Sequence, residues 1–208
     1  MRFALLCALA PVLVAAADGP KIFYSKSFPG SVPPFVAIEI TKEGAGVYQE
    51  AVNDDRPVKF QVAPEDVTQI FLLADKLDHF QRPLESGLKV ANMGMKTFRY
   101  EDRSEKHEVK FNYSQDEDVK LLYDWFERLT ETQVHLFDLE RSVRFDKLGV
   151  NKTLLQVEAA WDRKRLIGCD RFLPMLDRVA KNEAFLHMAR ERAASLAETF
   201  RAQKVKAE

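Results

Sequence analysis

Cysteine is scarce in this chain, since Cys7 and Cys169 are the only two among 208 residues. Cys7 lies in the apolar N-terminal run that we interpret below as a cleaved signal, which would leave Cys169 alone. A single cysteine excludes an intrachain disulfide and the zinc sites that are built from several cysteines. Cys169 is either a buried apolar residue or a handle for a partner, and its neighbours Leu166, Ile167 and Phe172 favour burial.

The short motifs of common enzyme classes are absent as well. The sequence contains no G-x-x-x-x-G-K-[ST] or G-x-G-x-x-G phosphate-binding motif, no G-x-S-x-G elbow and no H-E-x-x-H zinc motif. We therefore predict no cofactor, no metal and no catalytic residue, and we favour an interaction protein over an enzyme.

An excess of one charge is missing too. The chain carries 31 Lys plus Arg against 32 Asp plus Glu, and removal of residues 1–17 would leave 30 against 32. A general nucleic-acid binder normally carries a marked basic excess. We therefore expect no nucleic acid among the partners.

Residues 1–17 are arranged like a secretory signal peptide. Arg2 precedes an apolar run over residues 3–14, and three alanines at 15–17 provide a small-residue cleavage site. The run is shorter than the roughly 20 apolar residues of a membrane span, and Pro11 interrupts it. We therefore predict a protein that is secreted or periplasmic after cleavage.

The spacing of the apolar residues predicts an α+β fold. Residues 18–34 include FPGSVPP and predict an extended lead-in, after which FVAIEITK, GVYQEAV and VKFQV alternate like strands. PEDVTQIFLLADKLDHF then shows the three- and four-residue steps of a helix, with Pro64 and two acids in its first turn. This first unit is therefore predicted to be βββα.

A second unit has the same order. GLKVA, KTFRYED and HEVKFNY predict three strands, and a helix follows SQDED with Ser114 as a candidate cap. VKFQVAPEDVTQIFLLADKL at 58–77 and VKFNYSQDEDVKLLYDWFERL at 109–129 keep the same landmarks in the same order. We therefore predict two tandem βββα units over residues 35–146, which form an antiparallel sheet with helices on one face and polar side chains on the other.

The rest of the chain predicts α-helices. The helix of the second unit extends to about residue 146 unless Thr130-Glu131-Thr132 interrupts it. A helix is expected at 152–166, and a last helical stretch carries an apolar stripe from Leu176 to Phe200. Residues 147–208 therefore form a C-terminal helical segment that either covers the β units or stands beside them.

Two histidines are candidates for chemistry. Glu131, His135 and Asp138 would share one face of the long helix, where a divalent metal would find three ligands, but ordinary charge alternation explains them better. His107 lies on the inward side of its strand, and we expect a partly covered structural histidine.

The alternative to a binding function is a hydrolase-type enzyme with a carboxylate–histidine site between the sheet and the helical layer. This alternative needs His107 or His135 beside an acid in a pocket.

The connection between the two units, residues 81–96, mixes apolar and basic residues and contains Met93 and Met95. Long connections of this kind often bind partners, and methionine adapts to varied partner surfaces. The competing interpretation, which the sequence favours, places Leu88 and Val90 in a strand and the methionines in the core between the units.

The polar face of the predicted sheet is a second binding candidate, with Arg99, Lys110 and Lys59 as its cations. An exposed edge strand would also accept a partner strand through backbone hydrogen bonds.

Trp161 and the basic run at 163–165 are typical of a segment that touches an anionic membrane, but the dipole at a helix C-terminus explains these cations better. Membrane contact is therefore less favoured than a protein or a cell-envelope polymer.

The stretch LESGLKVANMGMKTFRYED, followed by VKFNYS, resembles a family of exported bacterial proteins of unknown function. The similarity runs through about residues 30–180, and it implies an envelope or extracellular setting without a reaction or a site residue. From the sequence we expect an exported non-catalytic binding or scaffold module. It would recognise a protein or a cell-envelope polymer through its polar sheet face, an edge strand or the loop between the units.

Overall fold

The structure, a computed structural model, describes residues 19–207, with side chains described through residue 203. The predicted signal peptide at 1–17 lies outside the described residues. The strands are β1 (Lys21–Ser27), β2 (Phe35–Thr41), β3 (Ala45–Gln49), β4 (Val58–Gln61), β5 (Met95–Glu101) and β6 (Lys106–Phe111), and the helices are α1 (Pro64–Lys76), α2 (Glu117–Phe145), α3 (Val150–Asp162), α4 (Leu173–Lys181) and α5 (His187–Ala207). Within the described residues, no helix is both long and apolar enough to cross a membrane.

β1 lies in the middle of the sheet, whose strand order is β4-β3-β2-β1-β5-β6 with antiparallel pairing throughout. The prediction of an extended lead-in over residues 18–34 is therefore wrong for residues 21–27. Ile22 and Tyr24 alternate toward the core from this strand. The proline- and glycine-rich residues 28–34, which suggested a solvated lead-in, form only the turn to β2.

Residues 87–91, predicted as the first strand of the second unit, lie outside the sheet. β5 is bonded to β1 on one side and to β6 on the other, so neither of its edges is open to a further strand. The second unit therefore contributes only β5 and β6 before α2, whereas β2, β3 and β4 precede α1. The α+β class and the antiparallel sheet are confirmed, but the tandem βββα units are not.

The sheet has one apolar and one polar face because side chains alternate along each strand. Ile22, Tyr24, Ile38 and Phe98 point to the apolar face, which packs against α1 and the first half of α2. The opposite face carries polar side chains that are at least partly exposed, namely Glu39, Lys59, Gln61, Arg99, Glu108 and Lys110.

α2 begins where Asp116 caps it. Asp116 Oδ1 accepts the backbone N–H groups of Asp118 (2.9 Å) and Val119 (3.4 Å), and Arg82 Nη2 donates to Oδ2 at 2.6 Å. Ser114, the predicted cap, instead accepts the Asp116 N–H at 3.3 Å. The helix runs for 29 residues, so the long helix of the second unit is confirmed.

The second half of α2 packs with α3, α4 and α5 in a second hydrophobic core. Leu139, Leu154 and Phe200 are buried there. Cys169 is buried as predicted, and burial raises the pKa of its thiol to about 12. The predicted last helical stretch is two helices, because the backbone becomes extended at Asn182 and ends α4. α2 thus joins the core of the sheet to the core of the C-terminal helices.

Phe126 holds α2 on the sheet, since its ring stacks on Tyr24 with 4.7 Å between ring centroids and lies 5.9 Å from Phe98. We predict that Phe126→Ala lowers the free energy of unfolding by about 3–5 kcal/mol, because it leaves a cavity between helix and sheet. The matched control is Leu121→Ala on the solvent side of the same helix, where Leu121 is 54% exposed; it should cost about 0.5 kcal/mol or less. Urea unfolding followed by circular dichroism measures both, and equal losses would contradict this role of Phe126.

Candidate binding site

The loop between α1 and β5, residues 81–94, is anchored at its start by the end of β6. Glu85 Oε2 accepts the Asn112 backbone N–H at 2.6 Å, and the Ser86 N–H donates to the Tyr113 carbonyl at 2.8 Å. The hydrogen bond from Asn112 lowers the pKa of Glu85. The carboxylate is therefore charged at neutral pH, which strengthens this anchor.

The end of the loop is anchored by Asn112 and Lys96. The Asn112 side chain accepts the Met93 N–H at 2.7 Å and donates to the Ala91 carbonyl at 3.0 Å. Lys96 is buried, and its ammonium donates to the carbonyls of Met93 (3.2 Å), Gly94 (3.0 Å) and Asn112 (2.8 Å). These bonds use all three ammonium protons. Burial lowers the pKa of Lys96, but the three carbonyl oxygens stabilise its charged form.

Between these anchors the apolar side chains of the loop face solvent. Leu88 and Met93 are each 50% exposed and Val90 is 39% exposed, and Met95, the first residue of β5, is 49% exposed. The interpretation that placed these residues in a strand and in the core is therefore wrong. Single exposed apolar residues are common on protein surfaces, but several within one short segment are typical of a contact site.

A small cavity of about 140 Å³ lies beside the loop at Met93. An apolar cavity of about 150 Å³ holds a group the size of benzene. The cavity at Met93 is therefore large enough for one aliphatic or aromatic side chain. Its wall includes Met93, Lys96, Phe111, Asn112, Val119 and Tyr123.

The cations predicted on the polar sheet face are not gathered in one patch. Arg99 and Lys110 lie on neighbouring strands and share Glu108, at 3.6 Å and 3.4 Å. Arg99 is also 3.6 Å from Glu101. Lys59 lies on β4, at the opposite edge of the sheet from Lys110, which is about 24 Å away at the usual strand spacing. The charges of Arg99 and Lys110 are therefore balanced by neighbouring acids.

His79, just after α1, is held between two carboxylates. Its Nδ1 lies 2.8 Å from Glu105 Oε1 and its Nε2 lies 2.9 Å from Asp75 Oδ1, while its ring stacks on Tyr100 with 3.9 Å between ring centroids. Both nitrogens donate hydrogen bonds only when both carry protons, as in the imidazolium. Burial opposes this charge, but the hydrogen bonds to Asp75 and Glu105 outweigh it and raise the pKa of His79.

The backbone at His79 is left-handed at three consecutive residues other than glycine. The φ angle is 51° at Asp78, 49° at His79 and 68° at Phe80. Each residue of this kind costs about 1–2 kcal/mol, and here the buried Phe80 ring and the two carboxylates on His79 hold the turn. The apolar periodicity predicted that the helix continues through Phe80, and His79 was not among the predicted site residues. Its four-residue spacing from Asp75 was the local signal for the ion pair.

His107 belongs to the same cluster. It is half-buried, as predicted, and its Nε2 lies 3.2 Å from Glu105 Oε2. An open cavity of about 600 Å³ borders the cluster and is lined by Asp75, Asp78, His79, Gln81 and Arg82. Because both nitrogens of His79 are bonded to carboxylates, neither is free to take a proton from a substrate.

The two carboxylates on α2 that a metal would have needed contact arginine side chains. Glu131 Oε2 accepts Arg165 Nε at 2.8 Å, and Asp138 Oδ1 accepts Arg141 Nη2 at 2.6 Å. Burial lowers the pKa of His135, whose Nδ1 is buried without a hydrogen-bond partner. In the part of the chain that the structure describes, no three His, Cys, Asp or Glu side chains are grouped to hold a metal ion.

Lys96 provides a test of the loop anchor. Lys96→Met should lower the free energy of unfolding by about 2–4 kcal/mol, because it leaves three carbonyl oxygens without a donor. It should also speed amide hydrogen exchange at Met93 and Gly94. Lys89→Met is the matched control, since Lys89 is an exposed lysine of the same loop and its replacement should change neither quantity. Unaltered exchange in the Lys96 variant would contradict the anchoring role.

The His79 cluster predicts a pH dependence of stability. Because the folded-state pKa of His79 is raised, its stabilising contribution is complete below the unfolded-state value of about 6.5 and is lost as the pH rises through the folded-state value. His79→Gln should therefore lower the free energy of unfolding more at pH 5.5 than at pH 9, by about 1 kcal/mol because the cluster is partly exposed. His187→Gln is the control, since His187 is 81% exposed on α5. A loss for His79→Gln that is the same at both pH values would contradict the prediction.

Comparison with known proteins does not place the chain in a family. No protein-family model matches the chain, and no curated protein matches it at a significant level. Its function is therefore inferred from its own residues.

Proposed function

We propose that this protein is an exported, non-catalytic binding module that takes up an apolar side chain of a partner protein at the 81–94 loop. The observation that supports this most is a loop whose backbone is anchored at both ends while Leu88, Val90 and Met93 are exposed beside a cavity. Export is inferred from the signal-like pattern of residues 1–17 and is part of the proposal.

The anchored backbone favours binding. A mobile loop loses about 1–2 kcal/mol of conformational entropy per residue when a partner orders it. Hydrogen bonds made by Glu85, Asn112 and Lys96 hold this loop in one conformation beforehand. More of the free energy of burial is then available as affinity.

Burial of the exposed loop side chains supplies the affinity in this proposal. Complete burial of a side chain as large as leucine or methionine contributes about 1.5–3 kcal/mol, and Leu88 and Met93 have half of their surface left to bury. A partner leucine, isoleucine or phenylalanine would gain a similar amount in the cavity. The flexible thioether of Met93 adapts the cavity mouth to the shape of that side chain.

A protein partner fits this loop better than a cell-envelope polysaccharide. Polysaccharides present hydroxyl groups, which lose hydrogen bonds to water when they are placed against aliphatic side chains. Leu88, Val90 and Met93 offer no compensating donors or acceptors. An apolar side chain of a protein gains free energy in the same place.

A hydrolase is the alternative function. The His79 cluster favours it because an imidazole bonded to carboxylates borders an open cavity. A general base needs a nitrogen within hydrogen-bond distance of the proton that it removes. Asp75 and Glu105 occupy both nitrogens of His79. The anchored loop therefore supports binding more strongly than the cluster supports catalysis.

Peptide display tests the proposed site. Selection of random peptides on the purified protein should enrich sequences that share one large apolar residue. Leu88→Ser combined with Met93→Ser should weaken these peptides at least tenfold, or about 1.4 kcal/mol, in a fluorescence titration. The melting temperature should be unchanged, because neither side chain is buried.

Two control variants locate the site. Val52→Ser removes an equally apolar, exposed side chain from the β3–β4 turn and should leave peptide affinity unchanged. Lys59→Glu with Lys110→Glu reverses exposed charges on the sheet face. If the sheet variant loses the peptides and the loop variant keeps them, the polar sheet face is the binding surface and the loop proposal is wrong.

A further inference from the structure

The turn between α2 and α3 exposes two large apolar side chains at its tip. Phe145, the last residue of α2, is 81% exposed, and Leu148, two residues before α3, is 76% exposed. A phenylalanine that contacts so little of its own protein gains little free energy from folding. These two side chains are therefore available to a partner outside the chain.

Cations flank the two apolar side chains along the chain. Residues 141–152, RSVRFDKLGVNK, contain four basic residues and one acid. The acid, Asp146, is engaged within the turn, where its Oδ1 accepts the Gly149 N–H at 2.9 Å. The basic residues are Arg141, Arg144, Lys147 and Lys152.

Two of these cations are paired with acids of α2 itself. Arg141 contacts Asp138 and Arg144 contacts Glu140, each at 2.6 Å, and both arginines are more than half exposed. Exposed pairs of this kind contribute little to stability, so a guanidinium exchanges a carboxylate for a phosphate at small cost.

We infer that the α2–α3 turn docks on an anionic membrane surface, with Phe145 and Leu148 among the acyl chains and the flanking cations at the level of the phosphates. Apolar side chains flanked by lysine and arginine are the combination that binds at a bilayer interface. This inference is independent of the proposed function of the 81–94 loop.

A bilayer fits the turn better than a protein partner. A stable protein interface buries about 800 Å² on each partner and is closely complementary in shape. Phe145 and Leu148 belong to the tip of a helix–helix turn, which presents a small apolar area. A bilayer needs no matching shape and accepts such a tip directly.

The segment that the sequence suggested for membrane contact is placed differently. The Trp161 ring packs against Phe200 with 5.3 Å between ring centroids. Arg165 bonds to Glu131 at 2.8 Å and to Asp124 at 2.5 Å. Both side chains thus make contacts within the protein, and the exposed apolar tip lies at Phe145 instead.

Vesicle binding tests the inference. The full chain, with the same N-terminus in every variant, is titrated with vesicles of phosphatidylcholine alone and with vesicles that contain about one third phosphatidylglycerol. We expect binding to the anionic vesicles that weakens with added salt. Phe145→Ser and Leu148→Ser should each weaken it about tenfold, and Val52→Ser should not, although Val52 is also 76% exposed.

A second readout reports position 145 alone. Phe145→Trp should show an added indole emission that shifts to the blue with anionic vesicles and is quenched by spin-labelled acyl chains. Equal vesicle binding by the wild type and the double variant Phe145→Ser/Leu148→Ser, or an unshifted emission, would overturn the inference. If the wild type self-associates as its concentration rises and the double variant does not, the turn binds a second copy of the protein. That result would also overturn the membrane inference.

Discussion

The continuous apolar stripe along α2 is the feature on which the rest of the structure depends. Its first half places Leu122 and Phe126 against the sheet, and its second half places Leu139 and Val143 among the C-terminal helices. Neither core is complete without this helix, because each one uses a different half of the same stripe. The helix also ends at Phe145 and supplies the cavity wall near its start. One element therefore fixes both cores and both exposed surfaces, which lie about 40 Å apart along its axis.

The apolar loop is exposed because the positions beside it in the sheet are already occupied by other strands. β1 occupies the middle of the sheet and bonds to both β2 and β5, so no place is left there for residues 87–91. A loop excluded from the sheet must still satisfy its backbone groups. Asn112 and Lys96 do this at its end, which leaves the side chains of Leu88 and Met93 directed to solvent. The same hydrogen bonds that stabilise the fold thus create a rigid apolar surface.

Sequence periodicity predicted the features that depend on local alternation. The polar and apolar sheet faces, α1 and the long α2 all follow from it, whereas burial of Cys169 followed from its apolar neighbours. β1 was missed because the prolines and glycines of residues 28–34 obscured the alternation of its own residues. The strand predicted at 87–91 was wrong for a different reason, since only the full sheet shows that both edges of β5 are taken. His79 was missed because Glu105, which contacts it, is distant in sequence. The left-handed backbone at His79 likewise depends on contacts with distant residues.

Charge balance explains why exposed apolar side chains, and not the cations of the sheet face, mark both proposed surfaces. Arg99 on the sheet face and Arg165 behind α2 each contact two carboxylates, so most of their field is cancelled within the protein. A surface neutralised in this way attracts charged partners weakly at physiological salt. Burial must then supply much of the free energy for binding, and exposed large apolar side chains lie close together at the loop and at the α2–α3 turn. Because they lie at opposite ends of α2, a membrane at one end would leave the loop at the other end open to a partner.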